Sequence, residues 1–341
     1  MNAREYAAAG VDLAAADDAR VRIGRLVAGT RTALAAGAVG AFGGMVRLPD
    51  GFRRPVLVMS TDGVGTKVLV ASAAGRLDTV GEDLVNHCVN DILVHGARPL
   101  AFQDYVAGSD LGVEDIAAIV EGVARGCRAH QMVLSGGETA QLPGLYQPGH
   151  FDLAGTILGV VEEDEALHGD RIVPGDVLLG YASAGLHTNG YTLARRVLLE
   201  RLGLGLDAPL PNGEPTTVGE ALLAIHRSYE AALRPVLGRV HGLAHITGGG
   251  IPGNLTRVLP PDCEAVIQSG TWTEPPVFAA IRRGGDIGEV EMRAVFNLGI
   301  GLIAALPRDA VSAARDSAAR AGVETWIIGA VRPGAASVRF A

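Results

Sequence analysis

The sequence predicts a mixed α/β chain of the α+β type, folded as two domains. Three observations carry this. A length of 341 residues exceeds what one domain of roughly 150 residues needs. Apolar residues make up 48% of the chain and charged residues 19%, so a sizeable core can form and disorder is not expected. Strand-like and helix-like segments follow one another without strict alternation, which favours mixed sheets over a doubly wound Rossmann sheet. The expected boundary gives an N-terminal domain at 1–168 and a C-terminal domain at 169–341.

Taken in order, residues 14–35 read as a helix, with Val21, Leu26, Val27 and Leu34 among its apolar positions. Gly37 to Gly44, with Gly43 and Gly44 at its end, is glycine-rich: a lid over phosphates or a loose connection. Pro55-Val56-Leu57-Val58 reads as a buried strand that runs into Met59-Ser60-Thr61-Asp62-Gly63-Val64-Gly65-Thr66-Lys67. Gly63 and Gly65 permit backbone angles closed to other residues, and successive N–H groups in such a loop form an anion-binding concavity. Lys67 would add a point charge, and Asp62 suits Mg²⁺, which prefers carboxylates and phosphate oxygens. An ordinary Asp-Gly turn after a strand has the same residues. The P-loop spacing is absent.

Residues 79–95 read as a helix, Thr79 and Glu82 fitting a capping box. Val80, Leu84, Val85, Cys88, Val89, Ile92 and Leu93 form a broad apolar arc, with Glu82, Asp83, Asn86, His87 and Asn90 opposite. His87 is therefore expected at the surface. Asp91 falls at the edge of the arc, where a carboxylate is costly unless paired or coordinated; Asp62 is its candidate partner at a metal or phosphate site. Leu100 to Val106 is expected to be a strand carrying Asp104, and residues 113–129 a helix. Met132-Val133-Leu134 runs into Ser135-Gly136-Gly137-Glu138-Thr139, a second strand-end glycine pair with a carboxylate. Asp152 to Val161 is a further strand.

In the second half, Gly175 to Gly180 turns into a strand. Gly185-Leu186-His187-Thr188-Asn189-Gly190 leads into a helix over Tyr191 to Leu202, whose start favours anions. Residues 219–237 read as helical. His245-Ile246-Thr247-Gly248-Gly249-Gly250 is a third glycine cluster before a short helix. Val290 to Ala305 contains a long strand signal, and a helix and a strand over Trp326 to Val331 close the chain.

A net charge of −8 argues against a sequence-independent nucleic-acid surface, which needs a basic patch. The absence of ~18 consecutive apolar residues argues against a membrane span, and the N-terminus lacks the apolar stretch of a signal peptide. Cys88, Cys127 and Cys263 are widely spaced, as suits small packing residues in a reducing cytoplasm.

Together, and in this order, these motifs resemble the phosphoribosylformylglycinamidine cyclo-ligase (AIR synthetase) family over nearly the whole chain. The matching residues are Tyr6 with Ala9-Gly10-Val11-Asp12, the Gly37–Gly44 loop, Thr61 to Lys67, Asn90-Asp91 with Gly96, Ala97 and Pro99, Gly136 to Ala140 with Pro143-Gly144, His187 to Tyr191, His245 to Gly250, and Phe296-Asn297 with Gly299 to Gly301. The resemblance implies ATP-dependent ring closure of formylglycinamidine ribonucleotide (FGAM) to 5-aminoimidazole ribonucleotide (AIR) in purine biosynthesis. ATP activates the formyl amide oxygen as an iminophosphate, a nitrogen attacks, and ADP and phosphate leave. Asp62 and Asp91 would serve Mg²⁺ and ATP phosphates, with Glu138 nearby. Gly43, Gly44, Gly63, Gly65 and Asp104 would join the nucleotide site. Ser60, Thr61, Thr188, Asn189, Gly248 and Gly249 would meet substrate, and Lys67, His187 and His245 are the catalytic candidates, with His187 first and His245 second for proton transfer. The resemblance also implies a homodimer whose N-terminal sheets pair into a barrel about a two-fold axis.

Two departures bear on ATP closure. Many family members have a lysine directly after the tyrosine of the first motif, where this chain has Ala7, and the glycine loop carries Ala38 and Ala41. Rivals in the same superfamily are a selenophosphate synthetase, a thiamine-phosphate kinase and the usually much longer formylglycinamidine synthetase. The first needs a reactive Cys near its N-terminus, whereas Cys88 lies inside a predicted helix. A non-catalytic nucleotide-binding maturation scaffold is the alternative from another class.

Overall fold

A computed structural model of the chain describes residues 13–211 and 215–341. The first motif, Tyr6 to Asp12 with Ala7, lies outside the described residues. The chain divides into two compact units. One holds the described residues up to Ile92 together with Arg98–Glu162; the other holds Leu93–Ala97 and the described part of Glu163–Ala341.

In the first unit, helix α1 (Leu13–Ala28) precedes strand β1 (Pro55–Gly63), α2 (Lys67–Ala74), α3 (Asp78–Leu93), β2 (Arg98–Gly108), α4 (Val113–Ala129), β3 (Val133–Gln141) and β4 (Phe151–Glu162). The four strands form one sheet in the order β1-β4-β2-β3. Only the β2–β3 pair is parallel. Helices α3 and α4 meet through Gly81 and Gly122, where an added Cβ would collide with the facing backbone at Ile119 and Asp78. That close contact brings Leu84 onto the sheet beside Gly155 and Phe102.

The structure differs from the sequence reading at several points here. Strand β1 is an edge strand rather than a buried one, with Leu57 58% and Met59 67% exposed. It continues through Asp62, because Thr61 and Asp62 still pair with Thr156 and Gly155 of β4. The Ser135–Thr139 stretch is likewise strand, Gly136 and Gly137 lying opposite Gln103 and Asp104 of β2. The polar side of α3 is covered: Asp83, Asn86, His87 and Asn90 are all buried.

In the second unit, β5 (Val177–Ala182), β6 (Gly242–His245), β7 (Cys263–Ile267), β8 (Ile300–Leu306), β9 (Thr325–Pro333) and β10 (Ser337–Phe340) form a sheet in the order β10-β7-β9-β5-β8-β6. Alternation along β5 separates two apolar layers. Leu179 and Tyr181 pack with Leu233, Leu302 and Ala314. Leu178 packs with Ile251, Leu255, Ile303 and Ile328.

Two element readings are corrected in this unit. The stretch 219–237 is not one helix. It comprises α-helical Val218–Leu223 and Glu230–Leu233 and 3₁₀ Arg234–Arg239, with residues 224–229 outside the helices. The strand signal at 290–305 divides into a helix, Glu289–Val295, and strand β8. Among the described residues no helix is long and apolar enough to cross a membrane.

Candidate active site

The first unit gathers a carboxylate–imidazole cluster. Residues of β1 alternate between faces, so Ser60 and Asp62 point toward α3 while Thr61 points away, its hydroxyl 2.8 Å from that of Thr156. His87 Nε2 lies 2.9 Å from Asp62 Oδ2 and 3.6 Å from Asp91 Oδ2, one helical turn on. Ser60 Oγ donates to Asp91 Oδ2 at 3.1 Å, and the Gly63 N–H donates to Asp62 Oδ1 at 2.8 Å. His87 is enclosed, whereas the Asp62 and Asp91 side chains keep 41% and 24% exposure. Burial disfavours the charged forms of both partners. The hydrogen bond and charge of His87 nevertheless hold Asp62 below the ordinary carboxylate value, and the two carboxylates hold His87 above its own. Two carboxylate oxygens facing one site suit a hard divalent ion such as Mg²⁺.

Lys67 occupies a different environment from the one expected. It is the first residue of α2 and fully enclosed, with Nζ 2.8–2.9 Å from the Asp83 carboxylate, which is also fully enclosed. Burial lowers the Lys67 pKa and Asp83 opposes this. The ammonium ties α2 to α3 rather than standing as an exposed charge.

Asp104 shares one register row with Asp62, Gly155 and Gly137. It is 8% exposed, and burial pushes its carboxyl up to about 7. Gly137 makes room for it, since a Cβ there would collide with the Asp104 carboxylate. A groove of about 400 Å³ beside it is lined by Phe42, Gly44, Thr61, Gln103, Tyr105 and Glu138 among others. The Gly37–Gly44 loop reaches this groove from a closed base, where Ala35 bridges Val46. Gly43 has open space around it, and Gly65 takes φ +62°.

The second unit gathers histidines. His187 is buried and held at φ +62°, a left-handed angle uncommon outside glycine. Its Nε2 accepts the Ala184 N–H at 3.2 Å. Asn297 fixes the loop around it, accepting from Ser183 Oγ at 3.0 Å and donating to Gly185 O at 2.9 Å. Gly301 of β8 leaves room for His187 and Tyr229, which a Cβ there would strike. The His187 ring stacks on His226 with centroids 4.0 Å apart. His226 Nε2 lies 3.1 Å from His245 Nε2, and its Nδ1 lies 3.2 Å from Thr188 Oγ1. Asn189 Nδ2 donates to Thr188 Oγ1 at 3.5 Å. The Gly248–Gly249 turn approaches Asn189, and buried Asn254 donates to Gly248 O at 3.2 Å and Gly250 O at 2.9 Å.

His187, Thr188, Asn189, His245, Gly248 and Gly249 thus gather in one neighbourhood, as do Ser60, Asp62, Gly63 and Asp91 in the other unit. His226 lies in the non-helical segment 224–229 rather than in a continuous helix, and His87 is buried rather than at the surface. Their signal was a histidine within an otherwise apolar or carboxylate-rich context.

Residues 44–161 match the family model described as AIR synthase related protein, N-terminal domain, and residues 173–340 match its C-terminal counterpart. The chain belongs to the AIR synthase related family. Family relatives include a phosphoribosylformylglycinamidine cyclo-ligase from Sorangium cellulosum, 48% identical over 96% of this chain and 94% of the relative. The cyclo-ligase of Thermosynechococcus vestitus is 44% identical over 98% of both chains. A thiamine-monophosphate kinase from Stenotrophomonas maltophilia shares the fold with a TM-score of 0.69 at 18% identity, over 93% of this chain and 94% of the other. The hydrogenase maturation protein HypE in complex with ATP aligns with a TM-score of 0.63 at 18% identity, over 92% and 88% of the two chains.

Proposed function

We infer that the protein closes the imidazole ring of AIR, converting FGAM with ATP to AIR, ADP and phosphate. The observation that carries this is identity of 44–48% to named cyclo-ligases over almost the full length of both chains. The motif residues also gather in two clusters with fitting chemistry. Ring closure needs two ends of one substrate held in register, and phosphoryl transfer needs charge neutralisation and positioning more than covalent help.

Asp62 and Asp91 fit Mg²⁺ as two partly exposed carboxylates, and they would hold it with the ATP phosphates. Bound there, Mg²⁺ would neutralise phosphate charge. Ser60 keeps Asp91 oriented through its hydroxyl, and the Gly63 N–H does the same for Asp62. Gly44, Thr61 and Glu138 line the groove on the open face of the sheet, away from the carboxylate pair, so Gly65 is the glycine that would lie along the nucleotide's path beside Asp62. Below about pH 7 the buried Asp104 offers a hydrogen-bond donor rather than a charge. Thr188, Asn189, Gly248 and Gly249 would position the substrate. His187 has its Nε2 lone pair engaged by the Ala184 N–H, so it serves better as an anchor than as a base. We therefore assign proton transfer during cyclisation to His245. The attacking nitrogen's proton goes to the imidazole, the C–N bond forms, and the activated formyl oxygen leaves on phosphate. Lys67 acts through the buried pair with Asp83 and needs no contact with ATP.

The active form in this reading is a cytoplasmic homodimer. Leu57 and Met59, 58% and 67% exposed on the open face of the first sheet, with Tyr105 at 39%, are the surface that pairing would cover. Steady-state ADP release tests the function. It should require FGAM, and thiamine monophosphate should not replace it. ATP hydrolysis that ignores FGAM would overturn the reading.

A further inference from the structure

Three buried histidines whose ring nitrogens lie within 4.8 Å of one another, His187, His226 and His245, invite a metal-site reading that the ring geometry opposes. A metal lies close to the plane of each imidazole it binds, about 2.0–2.1 Å from the nitrogen. The His187 and His226 rings are stacked, with an interplanar angle of 22° and centroids 4.0 Å apart, so their planes do not meet near either ring. His187 Nε2 already accepts the Ala184 N–H.

A hydrogen-bonded chain fits the same atoms. Only one proton fits between His226 Nε2 and His245 Nε2, 3.1 Å apart. At its other end His226 Nδ1 meets Thr188 Oγ1, an oxygen with two lone pairs. Thr188 accepts from Asn189 Nδ2, and its hydroxyl can either accept from or donate to His226 Nδ1; in the arrangement assigned, His226 Nδ1–H donates. His226 Nε2 is then an acceptor, so His245 carries its proton on Nε2. His226 is completely enclosed and held by stacking on His187, which makes it unsuited to touching substrate.

We propose that His226 is a positioning residue that fixes the tautomer and orientation of His245 and couples them to Thr188. This rests on the assignment of proton transfer to His245 made above. A neutral imidazole has two tautomers, and which nitrogen carries the proton is set by the partner of the other. A merely space-filling His226 would leave His245 free of that constraint.

The test uses full-length protein and three variants: His226→Gln, His226→Leu and His226→Ala. Ring ¹⁵N spectra of His245 read the tautomer directly. The wild type should show a single Nε2-protonated form. His226→Gln, whose amide oxygen can accept the same proton, should keep it, and His226→Leu should give a mixture. Turnover number should fall about 10–100-fold in His226→Leu and His226→Ala, by analogy with loss of the hydrogen-bonded partner that orients a metal-ligating imidazole, with KM for FGAM little changed and largely restored in His226→Gln. An unchanged His245 spectrum in folded His226→Leu would overturn the proposal. So would Zn²⁺ alone raising the melting temperature of wild type but not of His226→Leu, which would mark a metal site. A changed spectrum with unchanged turnover would support the positioning role and instead remove His245 from the chemistry.

Discussion

Replacing Lys67 with Met separates a structural ion pair from a phosphate-binding charge. Lys67 Nζ and the Asp83 carboxylate are both fully enclosed and 2.8–2.9 Å apart. Removing the ammonium leaves a buried carboxylate without its main counter-charge, and breaking such a pair typically costs about 3–5 kcal/mol. For a unit of this size each kcal/mol lowers the melting temperature by about 2–4 °C, so a drop on the order of 10 °C is expected. Replacing both members by apolar residues of similar volume is often neutral or stabilising, so Lys67→Met with Asp83→Leu should recover most of the loss. Urea unfolding and thermal melts of the two single variants and the double variant supply the cycle, and turnover is measured on each folded protein. Full stability in Lys67→Met would refute the buried-pair reasoning, as would a double variant no better than the single. A stable double variant without turnover would return Lys67 to the chemistry.

Three further predictions follow from the geometry. Asp91→Asn should lose turnover and most of the thermal stabilisation by Mg-ATP, an effect set by ligand affinity, while keeping its ligand-free melting temperature because the amide oxygen still accepts from Ser60; a preserved Mg-ATP shift would contradict the metal reading. Asp104 has a folded-state pKa of about 7, raised above the unfolded carboxylate value of 3.8, so the folded state holds the extra proton. Its contribution is therefore present at low pH and lost as pH rises from about 4 to 7. Asp104→Asn should flatten the stability–pH curve in that window, and an unaltered slope in urea titrations would count against the shift. Met59→Asp on the open sheet face should reduce the solution mass from dimer to monomer in light scattering, and a monomeric wild type at all concentrations would remove the dimer.

Local signals were the most legible. The helix expected at 113–129 is Val113–Ala129, and the strand expected at Asp152 to Val161 lies within Phe151–Glu162. Periodicity shows which side of α3 is apolar but not what covers the other, so His87 was placed at the surface when it lies between two carboxylates. Lys67 failed similarly: its spacing after Asp62 is visible in sequence, but its partner Asp83 is brought to it only by the packing of α3. The strand signal at 290–305 conceals a change of period at Phe296–Gly299, where Leu298 takes φ +50° and Gly299 φ +100°. Strand β6, four residues that are all buried, displays no alternation. Asp62, Asp91, His187 and His245 stand out as candidates in the sequence because each sits in a compact motif. His226 could not, because its neighbours in the histidine cluster are distant in the chain.

The most direct measurement follows oxygen from the formyl group. FGAM carrying ¹⁸O in its formyl group is incubated with the protein and Mg-ATP, and products are analysed by mass spectrometry. ATP-dependent ring closure predicts AIR and ADP in equal amounts, with the label recovered in inorganic phosphate because the activated amide oxygen departs with the phosphoryl group. ADP formed without AIR, or AIR formed with unlabelled phosphate, would contradict it.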